Sequence, residues 1–267
     1  MPHEVADQLQ ALFRWGHIVA GVLWIGLLYF FNFVNGPFAA TMDKDTKGKV
    51  VPELMPRALF WFRWGAAWTW ITGILLLGIV YHSNKSMMFG TPEPGMGGGE
   101  WSASAGIMVL LAVFGFLIYD VLAKSALGKK NQNFAVLCLV LVAAVVWAFE
   151  HVGGLTYRAA NIHLGGMFGT MMAFNVWFRI WPAQKKIIAA VKAGQAPDAA
   201  LVATSGLRSK HNTYMSVPLI WTMINQHTVS YSTQFGTGIY VSTVLAVAVG
   251  WLFVSWLYKK AATVKGF

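Results

Sequence analysis

The chain has 267 residues, 57% of them hydrophobic and only 11% charged. Soluble domains carry about 25% charged residues, so this composition excludes an ordinary soluble globule and points to a membrane protein. The formal net charge is +10, but the basic residues sit in alternate loops, as membrane topology requires, and not in a patch that would hold nucleic acid.

Length and hydropathy predict seven spanning helices, over about residues 11–34, 58–81, 104–123, 133–151, 159–181, 213–229 and 237–258. The expected fold is all-α: a polytopic transmembrane helix bundle that forms one domain over residues 1–267. The first apolar run has no basic n-region and no small-residue cleavage site, so it reads as a span and not as a signal peptide. The loop after span one holds Lys44, Lys47, Lys49 and Arg57. The loop after span three holds Lys124, Lys129 and Lys130. The connection after span five holds Arg179, Lys185, Lys186, Lys192, Arg208 and Lys210, and the tail holds Lys259, Lys260 and Lys265. The opposite side holds only Arg14, Lys85 and Arg158. Positive-inside bias places the N-terminus outside and the C-terminus in the cytoplasm.

Between spans two and three, Gly90 to Gly99 reads as a flexible outer connector. Pro182 to Ala193 reads as an amphipathic helix lying along the cytoplasmic surface against anionic lipid headgroups. The lone cysteine, Cys138, lies inside span four and excludes an intrachain disulfide and a multi-cysteine metal site. A faint repeat links spans one and five, with His17 and His163 near their starts and Asn32 and Asn175 near their ends. Spans two and six share Trp68-Thr69-Trp70-Ile71 against Trp221-Thr222-Met223-Ile224. A parallel duplication and chance similarity both account for this.

With that orientation, His17, His82, His151, His163 and His227 fall at one membrane depth on different helices. Neutral imidazole is a usual axial ligand of haem, and helix bundles build such sites from inward-facing side chains. No Cys-x-x-Cys-His occurs, so the expected cofactor is haem b without covalent attachment. His17 and His163 are embedded, and an ionisable group inside the membrane marks a functional site by default. They read as ligands. His227, in Asn225-Gln226-His227, reads as a ligand or as an interfacial ring. His151 follows Glu150, so that pair reads as a ligand site, an outer ion pair or a proton relay. His82, in Tyr81-His82-Ser83-Asn84, reads as a hydrated interfacial ring. Trp24 and Trp68 lie deep enough to wall a cofactor pocket. Glycines 16, 21, 165, 166 and 169 either admit a flat macrocycle or simply let helices pack; at Gly165 and Gly169 packing is the expectation.

A second polar set lies toward the cytoplasm. Arg63 and Asp120 are at similar depth and are expected to pair, because an unpaired charge there costs several kcal/mol. His211 and Asn212 open span six at that level, and Pro218 is expected to kink it. Two readings stand: an anion or proton site facing the cytoplasm, or a snorkelling Arg63 with a wet His211.

Trp15-Gly16-His17 through Trp24-Ile25-Gly26, Tyr119-Asp120, Asn175-Val176, Pro182-Ala183-Gln184-Lys185-Lys186, His211-Asn212-Thr213-Tyr214, Pro218 and Asn225-Gln226-His227 carry a resemblance over nearly the whole chain. It resembles the membrane domain of the bacterial membrane-bound urate oxidases (urate hydroxylases). The resemblance implies a multi-pass protein of the bacterial inner membrane that oxidises urate toward 5-hydroxyisourate and delivers electrons to a c-type cytochrome, without forming hydrogen peroxide. The first span is also similar to those of small haem-binding membrane proteins, which supports haem b. Family members commonly continue into a further span and a C-terminal cytochrome domain. This sequence stops after span seven, so a separate acceptor is expected. Where relatives place an acidic or polar residue near the start of span two, this chain reads Phe62-Arg63-Trp64-Gly65-Ala66.

For such an enzyme, Arg63, Asp120, His211 and Asn212 are the expected catalytic residues, with Arg158 and His151 as the alternative anion site on the outer face. His17, His151, His163, His227 and Trp24 are the expected haem site. The competing readings are a non-catalytic cytochrome b subunit of a respiratory complex and a haem-free accessory subunit.

Overall fold

The computed structural model describes residues 3–90, 99–128, 131–227 and 239–264. The described residues are overwhelmingly helical, with no strand among them. The helices are α1 (His3–Tyr29), α2 (Gly36–Thr41), α3 (Lys44–Leu76), α4 (Lys85–Phe89) and α5 (Ala103–Lys124). There follow α6 (Asn131–His151), α7 (Tyr157–Asn175), α8 (Trp181–Lys192), α9 (Ala199–Ile224) and α10 (Ile239–Ala261). The all-α expectation holds.

Five helical stretches are long and apolar enough to cross a membrane: Glu4–Thr41, Lys44–His82, Ala103–Lys124, Gln132–His151 and Val241–Ala261. They coincide with five of the seven expected spans. Large apolar side chains such as Trp15, Val22, Val121 and Leu252 point outward. Water would oppose such a surface and lipid accepts it. The other two expected spans are helices α7 and α9, whose polar residues place them outside that set of five. No residue of α7 is exposed, so its polar side chains face protein.

The helices run past the expected spans because hydropathy marks only the lipid-facing part of a helix. The basic segment after Thr41 begins α3 at Lys44, not at residue 58. Asp43 caps it: one carboxylate oxygen accepts the Thr46 N–H at 2.9 Å and the other accepts the Thr46 hydroxyl at 2.6 Å. Likewise α9 begins at Ala199, not at residue 213. That extension moves Arg208 out of the expected surface loop and into a helix, where it is 2% exposed. The predicted amphipathic helix over 182–193 exists as α8, but it continues α7 and is not a separate segment.

Three wide π-helical turns interrupt these rods, at Phe30–Asn35, Leu77–His82 and Val176–Ile180. The first and third share a plan. Each follows a long helix, carries or is preceded by an asparagine (Asn32, Asn175), and leads into a shorter helix with proline in its first turn (Pro37, Pro182). Proline lacks an N–H and its ring crowds the carbonyl four residues back, a common cause of such irregularity. The plan also bears on the faint repeat of spans one and five.

Two compact units divide the chain. The first comprises Met1–Phe13, Gly73–Met171 and Val217–Trp251, and the second comprises Arg14–Thr72, Met172–Ser216 and Leu252–Phe267. In the first unit, a Cβ on Gly165 would sit 2.4 Å from Thr222 Oγ1 and one on Gly250 would sit 3.2 Å from Pro218 Cδ. These glycines let helices touch; Gly165 packs α7 on α9, as expected. In the second unit, Gly65 does the same for Trp24, whose Cβ and N would lie 3.3 Å from an added methyl.

Candidate functional site

The first unit holds a pair of histidines. His163 is 1% exposed on α7. Its Nδ1 lies 2.7 Å from the Ala159 carbonyl oxygen, one turn back on the same helix. A carbonyl only accepts, so Nδ1 carries the proton and Nε2 keeps a lone pair. That lone pair faces His82, with 2.9 Å between the two Nε2 atoms and 5.2 Å between ring centroids. His82 therefore donates from Nε2. Tyr81, Phe149 and Trp101 set their ring edges against the pair. The Tyr81 hydroxyl is itself held by Gln226 Oε1.

His82 was expected to be a hydrated interfacial ring, yet it is the histidine that meets His163. The wide turn Leu77–His82 explains this. A π turn adds a residue to the helical register and so swings the following side chains round the axis. A pattern read at the regular helical period misses that rotation.

The other expected ligands stand elsewhere. His151 is exposed; its Nδ1 donates to the Trp147 carbonyl and its ring stacks on the Trp147 indole. Its Nδ1 is 4.0 Å from Glu150 Oε2, the geometry of the outer-surface pair considered above. His17 belongs to the second unit. Its Nδ1 donates to Thr72 Oγ1 at 3.1 Å, because the Thr72 proton is already given to the Trp68 carbonyl. The His227 side chain, and the connector from Thr91 to Gly98, lie outside the described residues. Trp24 is enclosed in the second unit, and its indole N–H has no hydrogen-bond partner among the described residues. Trp68 instead faces outward, so it walls nothing.

The second unit gathers amides and hydroxyls. The Asn32 amide donates to Leu28 O and to Ser209 Oγ, both at 2.9 Å, and its oxygen accepts from the Tyr258 hydroxyl at 2.9 Å. Tyr29 and Ser216 share a hydrogen bond of 3.0 Å. Asn175 donates to Asn212 Oδ1, and Asn212 donates to the Met172 carbonyl. Both ends of the Asn212 amide are thus engaged inside the protein. His211 is part-buried on α9, close behind the buried Arg208. Arg208, Ser209, Tyr29 and Tyr258 were not singled out as site residues. Their signal in the sequence is faint: Arg208 and Ser209 read as part of a surface connection, and Tyr29 and Tyr258 as polar groups near the inner ends of spans one and seven.

Arg63 and Asp120, expected to pair, belong to different units. Asp120 pairs with Lys124 on its own helix at 2.6 Å, since spacing i, i+4 puts that ammonium within reach. Arg63 lays its guanidinium over the Trp181 ring, 4.0 Å from the centroid, and its carbonyl accepts the Trp177 indole N–H. A cation held on an aromatic face needs no carboxylate.

The donor set of the histidine pair fits a haem better than a bare metal ion. A porphyrin fills four positions on its iron and asks the protein for one or two axial side chains. Among the described residues no three His, Cys, Asp or Glu side chains come together to hold a metal. A family model described as urate oxidase N-terminal matches residues 39–265. No curated protein and no solved structure matches the chain.

Proposed function

We propose, because this chain belongs to the urate oxidase N-terminal family, that it is the membrane part of a urate-oxidising oxidoreductase using haem b. Urate becomes 5-hydroxyisourate: water supplies the added oxygen, and two electrons and two protons leave. A c-type cytochrome takes the electrons. The observation that carries the redox half is His163. It is enclosed by protein, its tautomer is fixed by Ala159, and its Nε2, which here accepts from His82, is the nitrogen that would bind an iron. A hydrogen bond at the far nitrogen orients such a ring and raises its basicity. Bound haem supplies one-electron acceptance at that point.

The substrate half rests on the second unit. Urate is an anion at neutral pH, so its site needs a cation beside hydrogen-bond donors. Arg208 and His211 on α9 offer the cation and imidazole, and Ser209 between them in sequence is hydrogen-bonded to Asn32, which in turn accepts from Tyr258. By the positive-inside reading, this end of the chain faces the cytoplasm of a bacterial inner membrane, and His163 lies toward the periplasmic side.

The test is optical. Purified protein should show a reducible haem Soret and α band, and anaerobic urate should reduce it. A haem reduced by dithionite but untouched by urate would make this a non-catalytic cytochrome b subunit. A protein with no haem at all would make it an accessory subunit.

A further inference from the structure

We propose that His82 and His163 are the two axial ligands of one haem iron, and that their tip-to-tip contact is this ligand pair closed on itself. The inference deepens the haem reading above and rests on it.

Two imidazoles that meet at Nε2 inside a ring of aromatic side chains need an explanation. A neutral hydrogen bond between membrane helices stabilises by about 0.6 kcal/mol on average. Interhelical glue alone is a poor reason for the pair. Metal ligation is a better one, because both rings present the nitrogen that binds metal.

The two rings divide the work. His163 is packed on every side and already has its proton at Nδ1. His82 ends the wide turn Leu77–His82, is only part-buried, and has no hydrogen bond at Nδ1 among the described residues. Moving the His82 proton from Nε2 to Nδ1 frees a second lone pair toward the same centre. Imidazole–metal bonds run about 2.0–2.1 Å, so the two nitrogens must separate from 2.9 Å to about 4 Å. His82, part-buried at the end of the wide turn, is the ring that would move.

The experiment uses the full-length protein in detergent or nanodiscs, with haem content, visible and electron paramagnetic resonance spectra, and midpoint potential as readouts. No urate is required. Wild type should be six-coordinate and low-spin. His82→Ala should turn the haem high-spin, and imidazole in the buffer should restore the low-spin spectrum. His82→Met should keep six coordination and raise the potential, as methionine ligation does. His163→Ala should lose most of the haem, while His151→Ala should change nothing. Should His163→Ala fail to fold, the His82 series decides alone. A His82→Ala protein that stays low-spin at unchanged potential overturns this pairing and leaves the haem reading intact. A wild type without haem overturns both.

Discussion

Tyr258, near the end of α10, donates its phenolic proton to Asn32 in the wide turn after α1, across 226 positions of sequence. Asn32 passes the connection on to Ser209 of α9. One amide thereby ties three helices of the second unit together. Tyr258→Phe removes this bond and the hydroxyl's contact with Thr213, and should lower stability by about 0.5–1.5 kcal/mol for each. Asn32→Ala removes the bonds to both Ser209 and Tyr258 together and should cost more. A double-mutant cycle on thermal unfolding in detergent measures the coupling; strict additivity of the two losses would show that Tyr258 and Asn32 do not interact energetically.

Gly165 marks where α7 and α9 touch. Gly165→Ala drives a methyl against Thr222 Oγ1, a side-chain hydroxyl held by the Leu219 carbonyl on the same helix. We expect a loss of about 1–3 kcal/mol from overpacking. Gly206→Ala, on a helix with nothing within 4 Å, should be neutral or stabilise by up to about 1 kcal/mol. Melting temperatures of the two variants should therefore move in different directions, and equal losses would contradict the packing described.

Asp43 lies outside the membrane-crossing segments. The Thr46 hydroxyl and N–H hold its carboxyl below the usual carboxylate range. A folded value below the unfolded one, about 3.9, means that the cap stabilises above that pH. The contribution fades as pH falls through the lower folded value. Hydrogen exchange at residues 44–47 should accelerate in Asp43→Ala at neutral pH and in wild type only under stronger acid. Identical exchange in the two proteins at pH 7 would remove the cap from the account.

Arg208 tests the substrate half of the proposal. A hydrogen bond to a charged group contributes about 1.5–3 kcal/mol. Arg208→Gln should accordingly raise the urate concentration for half-maximal haem reduction by roughly 10- to 100-fold. The dithionite-reduced spectrum should stay as in wild type. Unchanged urate dependence would place the anion elsewhere.

Much of this architecture is legible in the amino-acid string, because lipid demands long apolar helices and few other structures satisfy the backbone there. Spans one to four and seven were readable on that ground. Helix ends were not, since Lys44 to Arg57 and Ala199 to Lys210 are helical without being lipid-facing. The histidines were legible as a group, but His82 was not legible as the partner of His163, because a π turn breaks the register from which facing residues are inferred. Depth alone suggests Arg63 and Asp120 as partners, but depth does not reveal the local contacts that Arg63 makes with Trp181 and Asp120 with Lys124. Asn212 stood out by type. Only the fold shows that its amide is fully engaged by Asn175 and Met172.

The enclosure of α7 bears on biogenesis. With Asn161, His163, Thr170 and Asn175 buried along it, this segment is a poor passenger for a translocon that releases helices sideways by their affinity for hydrocarbon. It should wait at the exit until earlier helices shelter its polar flank. Ribosome-stalled chains ending just after Ile180 should then insert that segment only when α5 and α6 precede it, and swapping His163 and Asn161 for leucine should make insertion autonomous.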